Sequence, residues 1–311
     1  MAFRISDLNI FQFSLRAVQK NRSQVVQLQN QLSSGRSLLS PADDPGAAAR
    51  VLALRENLSR IDQFQRNIEN ARAQLDNQER VLSGLSGIMI RARELAVSAD
   101  TETPEFDKIA VEVRELFGQT LELANTRVGD SYLFGGHVTD SAPITQTGAF
   151  SDPAPIVAYN GDSGVIAASI ETSTQIDINL TAREVFLGST DGDDVADGNF
   201  VNLFNLLQDL NNRLEDPATY GAPTGVLGDV DKAIDQINSL RARVGGRSNR
   251  LDAASNQLSS LSLASETERS TLEDTDLVEA ITQLQQREQA LEASLSVSAR
   301  VVQPSLLDFL N

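Results

Sequence analysis

The sequence predicts a mainly α-helical protein with an inserted β-rich domain, in which the N- and C-terminal halves form long antiparallel helical rods, or a coiled coil. Three observations predict this fold class. Apolar residues recur at heptad spacing in both halves of the 311-residue chain, the pattern is lost near the middle, and a short corner rich in glycine and proline interrupts the N-terminal half. A hydrophobic content of 41% is enough for such a chain to bury sizeable cores.

The first predicted element is an amphipathic helix over residues 5–33. Its apolar residues lie three and four positions apart, as they do on one face of a helix, and Arg22 and Gln29 interrupt the pattern. The residues that we expect to pack from this helix are Leu8, Phe11, Leu15, Val18, Val25 and Leu32.

A corner follows in the stretch LSSGRSLLSPADDPGAAARVLAL, residues 32–54. The residues that we expect to build it are Gly35, Pro41, Asp43, Asp44 and Pro45. Gly35 suits the left-handed position that ends a helix, and Asp44 followed by Pro45 supplies an N-cap and a first helical residue. The corner therefore ends one helix and begins the next, and from spacing alone an ordinary helical-hairpin loop is an equally good interpretation.

A second and longer helix is predicted from about residue 45 to residue 99. Seven residues fall seven apart without a miss: Leu54, Ile61, Ile68, Leu75, Leu82, Met89 and Ala96. A companion set holds the other core position, with one polar exception: Phe64, Ala71, Gln78, Leu85 and Ala92. We expect the helix to bend or break near Gly84 and Gly87, because each costs about 1 kcal/mol relative to alanine.

The centre of the chain loses the helical period. A helix is predicted around residues 106–127, and residues 129–200 then gain Gly, Asp, Thr and alternating β-branched residues, which predicts a small β-rich insert. The pair Asn160-Gly161 predicts a hairpin turn within it. Another helix follows over residues 199–216, and a loop rich in Pro and Gly is expected at 217–228.

The C-terminal half repeats the heptad pattern and supplies a partner for the long helix. The apolar residues concerned are Val230, Ile237, Val244, Leu251 and Leu258, with Ala233, Leu240, Ala254 and Leu261 as companions. A last amphipathic helix, expected to bend at Pro304, offers for packing Leu277, Ile281, Leu284, Leu291, Leu295, Val302, Leu306 and Phe309.

Opposite charges favour pairing of the two chain ends. Residues 1–36 hold five basic side chains and one acidic side chain, whereas residues 265–311 hold three basic and nine acidic ones. Because one end is positive and the other negative, we expect the two terminal helices to lie side by side.

The composition disfavours several classes of function. A net charge of -17 is unsuited to nucleic acid or an anionic membrane, and no apolar run approaches the ~20 residues of a membrane span. The chain has one histidine, His137, and no cysteine, and it lacks the Gly-x-Ser-x-Gly motif of a hydrolase. Residues 189–199 are acidic, but Val195 replaces a calcium ligand. We expect no catalytic, metal or cofactor site.

Several motifs resemble those of the bacterial flagellin superfamily. The corner with Pro41-Ala42-Asp43-Asp44-Pro45 does so most specifically, and it is joined by FRIS near the start, by RARELAV at residues 91–97, by ELANTRVGDSYLFGG at 122–136 and by YNGDSG at 159–164. The ending LVEAITQLQQREQALEASLSVSARVVQPSLLDFL is similar as well. Within the superfamily these forms resemble the members that join the flagellar hook to the filament.

The resemblance implies an architecture and a role. Residues 1–36 and 265–311 would form an inner coiled-coil layer that packs against neighbouring subunits, residues 37–128 and 201–264 a rod, and residues 129–200 an outer domain. The expected partners are other copies in a ring, the first junction protein FlgK, flagellin and an export chaperone. The expected location is the flagellum, reached through its export channel. The alternatives are a flagellin filament subunit and a cytosolic coiled-coil scaffold.

Overall fold

The structure is a computed structural model that describes residues 3–99, 105–189 and 196–307. Its helices are Phe3–Ser34 (α1), Pro45–Ser98 (α2), Phe106–Ala124 (α3), Leu203–Glu215 (α4), Pro217–Tyr220 (α5), Leu227–Glu273 (α6) and Leu277–Leu307 (α7). Its strands are Arg127–Val128 (β1), Ser131–Tyr132 (β2), Ile144–Gln146 (β3), Val157–Tyr159 (β4), Ala167–Ser169 (β5) and Gln175–Asp177 (β6). The predicted fold class, long helices around a small β region, is confirmed. None of the described helices has an apolar stretch long enough to cross a bilayer.

The chain is divided into two compact units. Unit 1 takes in Met1–Ile61 and Ser259–Asn311, and unit 2 takes in Asp62–Leu258. The division falls within α2 and within α6, both of which are continuous helices. Unit 1 is therefore drawn from the two ends of the sequence, whereas unit 2 is one continuous stretch.

In unit 2, α2 and α6 run antiparallel. Ion pairs join Arg72 to Asp252, Glu79 to Arg241 at 2.7 Å and Arg93 to Asp231 at 3.0 Å, so the partner's number falls as the position in α2 rises. The heptad residues along the same stretch of the two helices are fully buried and form what we call the rod seam: Ile68, Leu75, Leu82, Met89 and Ala96 of α2, with Val230, Ile237, Val244 and Leu251 of α6. The packing predicted from the heptads is confirmed here.

The long helix does not break at its two glycines. α2 continues through Gly84 and Gly87 to Ser98. A Cβ on Gly84 would lie 3.3 Å from the Leu123 side chain, so the missing side chain lets α3 approach closely. The cost of about 1 kcal/mol for a helical glycine is small beside the burial of the neighbouring Leu82 and Leu85.

Within the described residues, the β region of unit 2 consists of three antiparallel pairs, β1 with β2, β3 with β4, and β5 with β6. The hairpin predicted at Asn160-Gly161 is wrong, because β4 and β5 on either side of it do not pair. Gly161 has no positive φ, and a Cβ there would lie 2.8 Å from the carbonyl oxygen of Gly135. Close packing against the Tyr159 side chain and the Gly135 carbonyl, rather than a two-residue turn, therefore requires this glycine.

Helices α3 and α4 pack against one another beside the insert. A row of five phenylalanine rings runs through Phe117 of α3 and Phe204 of α4 and continues into the insert. The ring centroids are 4.8–6.1 Å apart in edge-to-face and stacked contacts, in the order Phe150, Phe117, Phe204, Phe186 and Phe134.

The segment predicted as a loop at 217–228 is instead mostly helical, since α5 is followed by a 3₁₀ turn at Pro223–Val226 that leads into α6. Pro217 and Pro223 each lie at a helical start, where proline is favoured.

Unit 1 contains α1 and α7, which pack together as the opposite charges predict. Ser14 bonds to Ser298, and Asn21 donates from Nδ2 to Ser294 Oγ at 2.8 Å and to the carbonyl oxygen of Ala290. Higher numbers in α1 thus meet lower numbers in α7, so the two terminal helices are antiparallel. α7 continues through Pro304 to Leu307.

Candidate functional site

The surface of the two terminal helices is the candidate site, and its geometry begins with the contact between them. Positions of low exposure recur at intervals of three, four or seven residues on each helix, which is the spacing of a coiled coil. We call them the terminal seam: Ser14, Val18, Asn21, Val25, Leu28 and Leu32 of α1, with Ala280, Leu284, Leu291, Ser294 and Ser298 of α7. Val25 and Leu28 are buried in this seam, and the polar residues Asn21 and Ser294 bond to each other within it, so the contact combines an apolar stripe with a bond that fixes the register.

Several large apolar side chains lie outside the terminal seam. Four of the positions predicted to pack are about half exposed and form what we call the exposed flank: Leu15 (46%), Leu277 (52%), Ile281 (48%) and Leu295 (51%). Phe13 and Val278, which are not among the predicted packing positions, are more exposed still. The pair therefore buries the terminal seam, in which apolar residues alternate with small and polar ones, and presents further large apolar residues to the outside.

The other predicted packing positions divide into two groups. Val18, Val25, Leu32, Leu284 and Leu291 lie on the terminal seam. Leu8 and Phe11 belong to α1, and Val302 and Leu306 to α7, whereas Phe309 lies outside the described residues. The structure thus brings five of the predicted positions together between α1 and α7 and places four others on the exposed flank.

The first corner, between α1 and α2, is built by short-range hydrogen bonds. Gly35 has a φ of +71° and donates from its N–H to the carbonyl oxygen of Gln31, which ends α1. Asp43 Oδ2 accepts from the N–H of Ser40 at 2.8 Å, and Asp44 Oδ1 accepts from the N–H groups of Gly46 and Ala47, both at 2.9 Å. Asp44 therefore caps α2, which begins at Pro45.

A second corner, between α6 and α7, has the same kind of construction. Asp276 Oδ1 accepts from the N–H groups of Val278 and Glu279 at 2.9 and 3.1 Å, so it caps α7. The backbones of the two corners also bond to each other. Ser37 donates its N–H to the carbonyl oxygen of Glu273 at 2.7 Å, and Thr275 donates its N–H to the carbonyl oxygen of Gly35 at 3.0 Å.

A buried carboxylate lies where the corners meet, and no pattern in the sequence predicts it. The side chain of Glu273 is 2% exposed and forms ion pairs with Arg36, Arg55 and Arg269. Hydrogen bonds to Glu266 and then to Glu273 raise the pKa of Arg269, so this guanidinium stays charged. No heptad or turn signal marks Glu273, because its partners come from three separate segments.

The residues weighed for metal binding lie elsewhere. His137 has Nε2 3.2 Å from the carbonyl oxygen of Val165 and Nδ1 3.8 Å from Asp162. Bonds from the N–H groups of His137 and Gly164 lower the pKa of Asp162. Val195 and the acidic residues at 191–194 are outside the described residues, and within the described ones no group of three or more His, Asp or Glu is arranged to hold a metal ion.

Comparison with known families gives the relation of this chain to other proteins. Residues 5–139 match the bacterial flagellin N-terminal helical region, and residues 227–310 match the bacterial flagellin C-terminal helical region. Together the two matches take in well over half of the sequence. The chain belongs to the bacterial flagellin family. The flagellin N-terminal match ends between β2 and β3, and the C-terminal match begins at the first residue of α6, so most of the β region lies outside both.

Individual members of the flagellin family are similar over nearly their whole length. Flagellar hook-associated protein 3 of Salmonella typhimurium is 25% identical over 301 residues, which cover 94% of each chain. Flagellin of Bacillus subtilis is 24% identical over 301 residues and 93% of each chain. The crystal structure of the flagellar junction protein FlgL from Legionella pneumophila shares the fold, with a TM-score of 0.57 and 20% identity over 71% of this chain and 100% of that one.

Proposed function

We propose that the chain is a structural part of the bacterial flagellum that joins the hook to the filament, as junction proteins of the FlgL type do. The observation that carries this proposal is the exposed flank, where large apolar side chains on both terminal helices are about half exposed in the isolated chain. Burial of apolar surface contributes roughly 25 cal/mol per Å², so such a surface is suited to lasting contact with neighbouring subunits.

The proposed partners follow from this role. Copies of the chain would form a ring, with FlgK on the hook side and flagellin on the filament side. Before export the chain would be held by a flagellar chaperone, and it would reach its place through the export channel of the flagellum. The flagellin family is structural, and we propose that this chain catalyses no reaction.

The proposed layers use the two ends of the chain as the inner part of the assembly. Residues 1–36 and 265–311 would form the inner coiled-coil layer, residues 37–128 and 201–264 the rod, and residues 129–200 the outer domain. In this arrangement the predicted packing positions have two tasks. Those of the exposed flank would contact neighbours, and those of the terminal seam would hold α1 on α7.

Deletion of the gene, with inspection of both cells and medium, tests the proposal. A junction protein predicts complete hooks without filaments and flagellin monomers in the medium, because nothing on the hook offers a surface that flagellin can join. Normal filaments in the deletion strain would overturn the proposal and favour a cytosolic scaffold.

A filament subunit is the second candidate, because flagellin of Bacillus subtilis matches 93% of the chain. The same deletion distinguishes it, since loss of filaments without any flagellin in the medium would make this chain the filament subunit. The corner favours the junction role. Pro41 and Pro45 bracket its two aspartates, and two prolines stiffen a corner that would serve one fixed transition between dissimilar neighbours.

A further inference from the structure

Glu273 stands at the meeting point of the two corners of unit 1. It is the last residue of α6, and its carboxylate is surrounded by guanidinium groups from three segments. Oε1 lies 2.9 Å from Arg36 Nε in the first corner and also pairs with Arg55 of α2, while Oε2 lies 3.1 Å from Arg269 Nη1 one turn earlier in α6. One carboxylate therefore ties together the first corner, α2 and α6.

The burial of these groups is unequal. The Glu273 side chain is 2% exposed, whereas those of Arg36 and Arg55 are 53% and 44% exposed. The arginines reach in from the surface, and solvent can still screen them if one contact is lost. A buried carboxylate without its partners is costly, because an unpaired buried charge destabilises a protein strongly. The arrangement of Glu273 with its three arginines therefore depends on the carboxylate.

The backbone adds a second connection at the same point. The carbonyl oxygen of Glu273 accepts from both the N–H and the hydroxyl of Ser37, at 2.7 and 3.1 Å. Arg36 and Asp274 form an isolated antiparallel bridge between the corners. Any rotation of Glu273 that follows the loss of its ion pairs would therefore also disturb the first corner.

We propose that Glu273 is a positioning residue that couples the two corners, so that the α1–α2 angle and the α6–α7 angle are held or released together. The carboxylate acts through the arginines and makes no contact with a partner in this role. The inference concerns the isolated chain and goes beyond the proposed function, because it would hold equally for a filament subunit.

Distances between spin labels test the coupling. The chain has no cysteine, so introduced cysteines are the sole labelling sites. One pair, Asn30→Cys with Ser59→Cys, spans the first corner, and another, Ala264→Cys with Gln285→Cys, spans the second; all four positions are exposed. Double electron–electron resonance on the purified chain should give a narrow distance distribution for each pair. In Glu273→Gln both distance distributions should become broad.

Glu266→Gln is the matched control. Glu266 also bonds to Arg269, at 2.6 Å, but it is 55% exposed and lies in α6, before Glu273 and the second corner. Both distributions should stay narrow in this variant. Broadening across the first corner alone in Glu273→Gln would contradict coupling, and narrow distributions across both corners would overturn the proposal.

A second variant keeps the proposal testable if Glu273→Gln loses helical content by circular dichroism. Arg36→Gln combined with Arg55→Gln leaves the carboxylate paired with Arg269 and removes the ion pairs to the first corner and α2. Both distributions should broaden in this variant too. If both stay narrow, the ion pairs do not couple the corners and the proposal fails.

Discussion

The rod seam of unit 2 and the terminal seam of unit 1 follow the same heptad spacing but differ in what they bury. In the rod seam, large residues such as Leu75 and Leu82 are fully buried. In the terminal seam, Asn21 and Ser294 occupy central positions and bond to each other at 2.8 Å, while Leu15 and Leu295 lie outside it. The rod seam is a fully buried apolar core, whereas the hydrogen bonds of the terminal seam fix the register of α1 on α7.

The difference teaches that heptad spacing predicts a helix with an apolar stripe but does not indicate which other segment or molecule covers that stripe. In unit 2 the chain supplies both halves of the contact. In unit 1 polar residues at core positions specify pairing at a cost in stability, as they do in coiled coils. The apolar residues of the exposed flank are then available to other molecules.

Shortening a side chain of the rod seam should have the largest effect on stability. Leu82→Ala removes a fully buried side chain from α2 and should lower the free energy of unfolding by about 2–5 kcal/mol. Urea denaturation followed by circular dichroism measures it. Val97→Ala, at an exposed position of the same helix, should change stability by no more than about 0.5 kcal/mol. Equal losses in the two variants would show that the rod seam is not a close-packed core.

Removal of a buried amide should have the next largest effect. Gln236 Oε1 accepts from the N–H of Val201 at 2.8 Å, and its Nε2 donates to the carbonyl oxygen of Val185 at 3.1 Å. Gln236→Leu leaves both backbone groups without this partner and should cost about 1–3 kcal/mol in the same denaturation experiment. Gln257→Leu, at an exposed position of α6, is the control. A more stable Gln236→Leu variant would contradict the assigned bonds.

Loss of the cap at the first corner should have a smaller effect. Asp44→Ala removes the acceptor for the N–H groups of Gly46 and Ala47 and should cost about 1 kcal/mol. Asp44→Asn keeps an acceptor oxygen and should behave almost as the natural chain does. Thermal unfolding of the two variants measures the difference, and an equal loss in both would assign the effect to charge instead of capping.

Shortening a side chain of the exposed flank should have the smallest effect on the stability of the isolated chain. Leu295 is about half exposed, so Leu295→Ala should change the free energy of unfolding by no more than about 0.5 kcal/mol. In a deletion strain, however, the variant should restore fewer filaments than the natural gene does. Gln289→Ala, at another exposed position of α7, should restore them fully. Full restoration by Leu295→Ala would remove Leu295 from the proposed contact surface.

The sequence was most informative where one segment determines its own structure. The rod seam followed from heptads, and the end of α1 at Gly35 and the start of α2 at Pro45 followed from local backbone preferences. The hairpin predicted at Asn160-Gly161 failed, since β4 pairs with β3 and not with β5, and Gly161 lies against the Tyr159 side chain and the carbonyl oxygen of Gly135, which is distant in sequence. Local signals do not register such contacts.

Polar groups buried between distant segments were the other omission. Gln78 looked like a defect in a heptad, yet its amide donates to the carbonyl oxygen of Ile178 at 2.8 Å and so attaches the insert to α2. Glu273 gave no signal, since Arg36 and Arg55 are more than two hundred positions away in sequence. Sequence patterns indicated which faces are buried but not which polar groups meet there.

The bond between Ser14 and Ser298 joins residues 284 positions apart. Contacts of this kind form late in folding, because closing so long a loop has an entropic cost that opposes the contact until other parts of the chain have folded. While the chain is being made, α1 has no α7 to pack against until Leu277–Leu307 has been added. Unit 2, being one continuous stretch, is complete earlier. The order of synthesis therefore keeps the apolar face of α1 uncovered until α7 has been made.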